Sequence, residues 1–185
     1  IVASDDVKVQ SRQVADCHEV EDWVWDGVEF SFLETPRIEG SSNNNSCVLL
    51  VRFGDSAVLL PGDVEKEAEY QLLSRYGTDL QSTLLIAPHH GSKTSSSYPF
   101  LKTVKPVQAV FTVGYRNRFN HPAQEILQRY DALGISTYTT SETGMLSFEI
   151  SDGVLGAGDK RFSRGVAFGN ARAFRKAQPR YWRCP

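Results

Sequence analysis

Two short apolar runs near the start of the chain, residues 20–25 and 28–33, are separated by an Asp-Gly pair. The second run alternates apolar and polar side chains, as a half-buried strand does, and an Asp-Gly pair between such runs favours a tight β-hairpin. Residues 47–53 and 57–60 flank a Gly-Asp-Ser turn and predict a second hairpin. The first ordered part of the chain is therefore expected to be antiparallel sheet.

The spacing of apolar residues changes after the second hairpin. Residues 64–76 carry apolar side chains three and four positions apart, which predicts an amphipathic helix. Strand-like and helix-like segments then alternate, in the order 84–87, 98–104, 107–113 and 123–133. Two last apolar stretches, 135–140 and 145–150, are expected to close the sheet as a pair of strands. The alternation predicts a mixed α/β (α+β) fold.

Four side chains with acid-base or metal-binding chemistry follow predicted strands at the points where the chain leaves them. His89 and His90 end an apolar run that breaks into Pro-His-His-Gly-Ser, and Asp63 and His121 each follow another strand. A carboxylate with several imidazoles at one sheet edge is a ligand set for Zn²⁺ or Mn²⁺. Such ions polarise a phosphoryl or acyl oxygen and lower the pKa of bound water to about 7, so the set predicts metal-assisted hydrolysis.

Three segments together resemble a known family. The chain contains, in this order, Leu-Leu-Pro-Gly-Asp at 59–63, Ala-Pro-His-His-Gly-Ser-Lys-Thr-Ser-Ser-Ser at 87–97 and Asn-Arg-Phe-Asn-His-Pro at 117–122. Over roughly residues 43–150 it resembles the metallo-β-lactamase-like domain of the ComEC-type DNA-internalisation competence proteins. The resemblance implies part of a four-layer αββα sandwich, of which this chain supplies mainly the second half.

The same resemblance implies roles for the candidate residues. Asp63 is expected to bridge two divalent metal ions, zinc or manganese, and His89 or His90 to be a terminal ligand. His121 is expected to be a ligand or a proton donor, and His121 or Lys93 to stabilise the leaving oxygen or the developing charge. These assignments make Asp63, His90, His121 and Lys93 the candidate catalytic residues.

One motif of the family is missing from the chain. The family's first metal motif, His-x-His-x-Asp-His, is absent, because the only histidine before His89 is His18 in Asp-Cys-His-Glu. The chain is therefore expected to be a fragment whose upstream segment was either removed or never present, and the lack of a starting methionine favours removal. Such a fragment is expected to bind one metal ion or none, and to need the missing segment for hydrolysis.

The resemblance also implies a function. It predicts a nuclease domain of a bacterial DNA-uptake protein, which hydrolyses phosphodiester bonds of the DNA strand that is not imported. The expected partners are single-stranded DNA and the membrane channel and OB-fold portions of the same protein, without a small-molecule cofactor. The expected location is a soluble domain on the periplasmic face of the inner membrane. Two alternatives stay open: a non-catalytic module that guides DNA, and a related hydrolase of small phosphodiesters or esters.

Two polar loops beside the predicted cluster offer groups that bind an anionic backbone. The candidate nucleic-acid-binding residues in these loops are Ser92, Lys93, Thr94, Arg116, Asn117 and Arg118. Tyr115 and Phe119 are placed to stack on bases. The plainer interpretation of these segments is a flexible polar loop and ordinary surface arginines.

The net charge of −2 conceals a polarised distribution. Residues 160–185 contain eight Lys or Arg and no Asp or Glu, whereas the first 159 residues contain 12 basic and 22 acidic side chains. Residues 151–185 are therefore expected to form a basic tail after a partial domain at 1–150. Such a tail binds phosphates or anionic lipid, or is only solvated.

Some candidate residues also have purely structural interpretations. Asp63 would serve as the N-cap of the helix that follows, and His121 with its proline as the first turn of the next helix. A Ser-His-Asp nucleophile is disfavoured, because no Gly-x-Ser-x-Gly elbow is present. The three cysteines lack Cys-x-x-Cys spacing and are expected to be packed or unpaired.

Overall fold

The computed structural model describes residues 2–3, 15–146 and 148 of the chain. These residues form a mixed α/β fold with nine strands and four α-helices. The strands are β1 (Val2–Ala3), β2 (Ala15–Asp16), β3 (Trp23–Trp25), β4 (Val28–Leu33), β5 (Val48–Phe53), β6 (Ser56–Leu60), β7 (Leu84–Ile86), β8 (Gln108–Phe111) and β9 (Ser136–Thr139). The helices are α1 (Lys66–Tyr76), α2 (Tyr98–Val104), α3 (Gln124–Ala132) and α4 (Thr140–Thr143). None of these described helices is long and apolar enough to cross a bilayer.

Seven of the strands form one sheet, in which they lie side by side in sequence order from β3 to β9. Strands β3 to β6 are antiparallel, and strands β6 to β9 are parallel. Parallel neighbours need a crossover connection, and α1, α2 and α3 lie in the three crossovers. The predicted α/β class is therefore confirmed. As a consequence of this topology, the carboxyl ends of β6, β7 and β8 meet at one edge of the sheet.

Both predicted hairpins are present. Strand β3 pairs with β4 around Asp26 and Gly27, whose φ angles are 51° and 78°. Positive φ at both central residues is what a two-residue type I′ turn requires. Strand β5 pairs with β6 in the same antiparallel manner. Strand β3 is shorter than the predicted strand at 20–25, because residues 20–22 are not part of it.

The three crossover helices pack on one face of the sheet and form the main core. Its fully buried members include residues from the strands and helices alike, among them Val48, Leu59, Leu85, Phe111, Ala68, Leu72, Phe100, Leu101, Ile126 and Tyr130. Ala68 and Leu72 lie one turn apart on α1, as the apolar spacing of residues 64–76 predicts. The core therefore fixes the sheet under the loops that leave its carboxyl edge.

The opposite face of the same sheet is apolar but only partly covered by the described residues. The strand register places Phe30, Val51, Val58 and Leu84 in one row across four strands. Trp23 on the edge strand stacks on Phe30 at 4.8 Å and is 38% exposed. A sheet face exposed to water normally carries polar side chains, so this face has the composition of one that is buried.

The predicted closing pair of strands is confirmed only for its first member. Residues 136–139 form β9, but Thr140 begins α4 instead of continuing the strand. Its hydroxyl accepts a hydrogen bond from the Val113 N–H at 2.8 Å and lies 2.8 Å from the Val113 carbonyl oxygen. These contacts replace ladder hydrogen bonds and end the strand. The second member, 145–150, forms no strand at its described positions, and the predicted tail at 151–185 lies outside the described residues.

The expectation that the cysteines are unpaired is wrong for Cys17 and Cys47, which form a disulfide with Cα atoms 5.9 Å apart. Cys17 lies in a 3₁₀ turn after β2, and Cys47 directly precedes β5. The two residues are 30 positions apart in sequence, so their pairing depends on the fold and not on a local motif. Cys184 lies outside the described residues.

Candidate metal and nucleic-acid site

Asp63 lies in the Pro-Gly-Asp loop after β6. Its backbone N–H donates to Oγ of Ser46 at 3.1 Å. Ser46 also packs closely against Gly62, the residue before Asp63. A Cβ atom added to Gly62 would lie 2.9 Å from the Cβ atom of Ser46. Helix α1 begins at Lys66 with Glu65 in the cap position. Asp63 is therefore not the helix N-cap, and its carboxylate has no capping role.

The two histidines after β7 form a tight turn. His89 and His90 both have left-handed backbone, with φ angles of 47° and 54°. This conformation costs about 1–2 kcal/mol at a non-glycine residue. Gly91 follows with φ of 81°, and a Cβ atom on it would lie 2.7 Å from both the Phe111 ring and Pro122. Strained backbone that is held by its surroundings is frequent at functional sites.

His121 ends the loop after β8, and Asn117 fixes its backbone. The Asn117 amide accepts a hydrogen bond from the His121 N–H at 2.9 Å and donates to the His121 carbonyl oxygen at 2.8 Å. The Nδ1 atom of His121 is buried and has no hydrogen-bond partner among the described residues. Burial lowers the pKa of His121 below its usual value of 6.5, and the nearby His89 and His90 lower it further.

The three loops meet at the carboxyl edge of the parallel strands. Nε2 of His90 lies 3.4 Å from Oδ1 of Asp63. The ring centroids of His89 and His121 are 6.1 Å apart. The His89 N–H donates to the Gly62 carbonyl oxygen at 3.0 Å, which ties the histidine turn to the loop of Asp63. The side chains of His90 and Asp63 are 46% and 44% exposed, so a solute reaches them.

The donor types at this edge fit a divalent metal ion, although no three of Asp63, His89, His90 and His121 bring ligand atoms within 4.8 Å of one another in this structure. One carboxylate and three imidazoles are ligands that zinc and manganese accept. A buried polar atom without a partner, such as Nδ1 of His121, indicates that an ion or ligand belongs beside it. The lowered pKa of His121 also keeps its imidazole in the neutral form that binds metals. The residues that would hold an ion are Asp63, His89, His90 and His121.

A second group of possible ligands fits a metal ion less well. Ligand atoms of Asp16, Cys17 and His18 all lie within 4.8 Å of one another. However, the sulfur of Cys17 is in the disulfide, and Asp16 accepts a hydrogen bond from the His18 N–H at 3.1 Å and pairs with Arg37. These groups are already used in the structure.

Two side chains that contact the imidazoles do not stand out in the sequence. Oε1 of Glu65 lies 3.3 Å from Nδ1 of His89. Oγ1 of Thr112 lies 3.1 Å from Nδ1 of His90. Both residues lie close to a strand end at the same edge of the sheet, Thr112 directly after β8 and Glu65 in the loop after β6. Their position beside the predicted strand ends is the feature that would have identified them.

The serines behind the histidine turn are buried, and they do not form a flexible polar loop. Oγ of Ser95 donates to the Pro88 carbonyl oxygen at 2.8 Å. The backbone N–H groups of Ser96 and Ser97 donate to the two oxygens of Glu69, the second at 2.8 Å. Burial raises the pKa of the Glu69 carboxyl above its usual 4.5, although these hydrogen bonds act in the opposite direction. This network supports the histidine turn from the core side.

The predicted phosphate-binding groups of the first loop have partners within the protein. The hydroxyls of Ser92 and Thr94 are 3.1 Å apart, and Ser92 is only 8% exposed. Nζ of Lys93 lies 3.8 Å from Oε2 of Glu125, and both side chains are largely exposed. Lys93 is thus the group of this loop best placed for solvent contact. The nucleic-acid-binding role of all three residues stays a prediction.

The second loop carries two cations on aromatic rings. The guanidinium of Arg116 lies 5.2 Å from the ring centroid of Tyr115, and that of Arg118 lies 4.7 Å from the ring centroid of Phe119. Tyr115 and Phe119 are 74% and 63% exposed. The side-chain amide of Asn117 is hydrogen-bonded to the backbone of His121 in the same loop. Its contact with nucleic acid stays a prediction.

Several curated proteins are similar to this chain. It is 42% identical over 132 residues to Competence protein ComA of Neisseria gonorrhoeae, a match that covers 71% of this chain and 19% of that protein. It is 38% identical to the uncharacterized protein YcaI of Escherichia coli over 73% of this chain and 18% of that protein. It is 32% identical to ComE operon protein 3 of Bacillus subtilis over 62% of this chain and 15% of that protein. No protein-family model matches the chain.

The matched region is a small part of each relative, because this chain spans less than a fifth of their lengths. Another match, 33% identical over 131 residues, is to Recombination protein 2 of Haemophilus influenzae. The chain is homologous to a segment of these longer proteins, and its homologues support its place in a competence-protein family.

Proposed function

We propose that this chain is part of a metal-dependent hydrolase domain that cleaves phosphodiester bonds of DNA during DNA uptake. The single observation that carries the proposal is the convergence of Asp63, His89, His90 and His121 at one sheet edge, with His90 and Asp63 3.4 Å apart. The names of the competence-protein relatives give the biological context.

Each residue of the cluster has a distinct part in this proposal. Asp63, His89 and His90 would hold a divalent metal ion. The ion, when bound, supplies a Lewis acid for a phosphoryl oxygen and lowers the pKa of water. His121 is neutral near physiological pH because its pKa is lowered, which suits a ligand or a proton acceptor at Nδ1 better than a proton donor. The intact domain would hold two divalent ions, and Asp63 would supply ligand oxygens for them.

The loop at 114–120 is the proposed contact for the nucleic acid. Arg116 and Arg118 supply positive charge for phosphates, and the exposed rings of Tyr115 and Phe119 supply surfaces on which unpaired bases stack. Phe119 also stacks on His121, with ring centroids 5.7 Å apart, so a base on this loop lies beside the cluster. Single-stranded DNA is therefore the proposed substrate.

The apolar second face of the sheet supports the proposed sandwich architecture. Side chains such as Trp23, Phe30 and Val58 form a continuous surface that the described residues leave partly exposed. A second sheet packed at about 10 Å would bury this surface, as in other two-sheet domains. In this proposal the chain supplies one half of a four-layer domain.

The disulfide supports a periplasmic location, because disulfides form and persist in oxidising compartments. The relatives are more than five times as long as the matched segment, which leaves room in such proteins for membrane and OB-fold portions. We assign these portions as partners of the domain within the longer protein.

Cleavage of labelled single-stranded DNA with Mn²⁺ tests this function. Because the chain is expected to need the absent His-x-His-x-Asp-His motif for hydrolysis, the assay uses the domain with that motif restored. Metal-dependent cleavage by this domain, with loss of activity in Asp63→Ala and His90→Ala, would support the function. Asp55→Ala and His18→Ala are matched controls, since Asp55 lies in the turn of the second hairpin and His18 in the competing ligand group, and both variants should retain activity. Metal-dependent cleavage that Asp63→Ala leaves unchanged would contradict the assignment of the site.

The second candidate is a non-catalytic module that guides DNA, and the arginine-aromatic loop favours it. Binding of single-stranded DNA that weakens with salt but is never followed by cleavage, in the chain and in the longer protein, would support this alternative over the nuclease.

A further inference from the structure

The hydroxyl of Thr94 is at the centre of a small hydrogen-bonded group beside His89. Oγ1 of Thr94 lies 2.9 Å from Oε1 of Glu65, 3.3 Å from Nδ1 of His89 and 3.1 Å from Oγ of Ser92. The same Oε1 of Glu65 lies 3.3 Å from Nδ1 of His89. Two oxygens therefore face one ring nitrogen of this histidine.

The number of available protons decides which way these bonds run. A threonine hydroxyl has one proton, and an ionised carboxylate only accepts. The shortest contact of Thr94 is to Glu65, so the hydroxyl donates its proton there. The Thr94 hydroxyl then has no second proton to donate to His89. Nδ1 of His89 must therefore be the donor to both oxygens. A neutral imidazole that carries its proton on Nδ1 has an unshared electron pair on Nε2.

The backbone around Glu65 holds this arrangement in place. The Glu65 N–H donates to Oδ1 of Asn44 at 2.9 Å, and Nδ2 of Asn43 donates to Oε1 of Glu65 at 3.3 Å. The Lys66 N–H donates to the Thr94 carbonyl oxygen at 2.9 Å, which joins the start of α1 to the histidine turn. The carboxylate is thus held against His89 before any ligand arrives.

His90 differs in this respect. Among the described residues, its Nδ1 has a hydrogen-bonding contact only with the hydroxyl of Thr112, at 3.1 Å, and a hydroxyl either donates or accepts. The contact with Thr112 therefore does not select one tautomer of His90. The comparison identifies His89 as the imidazole whose proton position is set by the protein.

We propose that Glu65 is a positioning residue that keeps the proton of His89 on Nδ1, with the Thr94 hydroxyl as a second acceptor, so that Nε2 is available as a metal ligand. The use of Nε2 rests on the proposed metal-dependent function, whereas the proton position does not. A carboxylate behind a ligating histidine typically contributes 10–100-fold to metal affinity.

Nitrogen-15 NMR of the metal-free chain tests the proton position, at a pH where imidazoles are neutral. In the wild-type protein, Nε2 of His89 should resonate as an unprotonated nitrogen. In Glu65→Ala the Thr94 hydroxyl either donates to Nδ1 or accepts from it, as Thr112 does at His90, so the selection of the Nδ1 proton should be lost and Nε2 should resonate between the protonated and unprotonated positions. Thr94→Val keeps the carboxylate and should keep the wild-type tautomer, as should Glu67→Ala, a control at an exposed position of α1. A protonated Nε2 in the wild type, or no change in Glu65→Ala, would overturn the proposal.

Titration with Zn²⁺ alone measures the consequence. Zinc affinity should fall about 10–100-fold in Glu65→Ala and stay unchanged in Glu67→Ala. Equal affinity in Glu65→Ala and wild type would overturn the positioning role. If the wild type binds no zinc but shows the expected tautomer and its shift in Glu65→Ala, the proton assignment stands and the proposed function fails.

Discussion

Nε2 of His90 lies 3.4 Å from Oδ1 of Asp63, although a helix separates the two residues in sequence. The contact exists because β6 and β7 are parallel neighbours whose carboxyl ends reach the same edge of the sheet. The main-chain bond from the His89 N–H to the Gly62 carbonyl oxygen holds the two loops together. The relationship is therefore built into the backbone and does not depend on flexible side chains alone.

Gly91 is expected to be essential for the histidine turn. In Gly91→Ala the new methyl group would meet the Phe111 ring and Pro122 at 2.7 Å, on a backbone with φ of 81°. The overpacking should lower the free energy of unfolding by about 1–3 kcal/mol in addition to the backbone strain. Urea denaturation measures the change.

Gly134→Ala is the control for Gly91→Ala, because Gly134 has a similar φ of 70° but nothing within 4 Å of an added Cβ. It should show the backbone strain alone, about 1–2 kcal/mol. Equal destabilisation by the two variants would contradict the close packing described around Gly91.

Phe119 is expected to contribute to binding of single-stranded DNA. Its ring is 63% exposed, lies under Arg118 and stacks on His121. Phe119→Ala should weaken binding of a labelled oligonucleotide by about 1–3 kcal/mol, measured by fluorescence anisotropy in the presence of a chelator. Tyr70→Ala, which removes another half-exposed aromatic ring, on helix α1, should bind like the wild type. Unchanged binding by Phe119→Ala would exclude the Phe119 ring as a stacking surface.

Short sequence patterns predict most of the fold because most of its strands, turns and helices are specified by residues that are neighbours in the sequence. The Asp-Gly turn at 26–27, the alternation in residues 28–33 and the spacing in residues 64–76 each reflect one element, and the structure contains all three. The end of β9 is different, because it depends on hydrogen bonds between the hydroxyl of Thr140 and the backbone of Val113, which lies in the loop after β8. No pattern within residues 135–140 records that contact.

The candidate site is likewise predictable from local sequence only in part. The strand-end positions of Asp63, His89, His90 and His121 are visible in the sequence, because apolar runs break there. The partner of His89 is marked only by its position soon after the end of β6, since Glu65 in a Glu- and Lys-rich segment otherwise resembles any surface carboxylate. The contact between Glu65 and His89 joins two separate loops. The pairing of Cys17 with Cys47 likewise depends on the fold.

The disulfide between Cys17 and Cys47 is expected to stabilise the fold. It closes a loop over a sequence separation of 30 residues, and a crosslink of this kind contributes about 2–4 kcal/mol. The oxidised chain should therefore unfold at a higher urea concentration than the reduced chain. The variant Cys17→Ala/Cys47→Ala should resemble the reduced chain and be insensitive to reductant. Equal stability of the oxidised and reduced forms would contradict the pairing.

Glu69 is expected to make stability depend on pH. Because burial raises its pKa above 4.5 in the folded protein, the folded state binds the proton more tightly than the unfolded state does. Stability due to this group is therefore greatest below about pH 4.5 and declines as pH rises through the folded-state pKa. Glu69→Gln lacks this titration, so the free energy of unfolding of the wild type minus that of the variant should fall as pH rises above 4.5. A value of this difference that stays constant or rises with pH would contradict the raised pKa.

Crystallography with Zn²⁺, using anomalous scattering at the zinc edge, tests the central claim most directly. The account predicts a zinc ion about 2 Å from a carboxylate oxygen of Asp63 and an imidazole nitrogen of His90. Zinc found only at the Asp16–His18 group, or no ion near Asp63 at a saturating concentration, would contradict it.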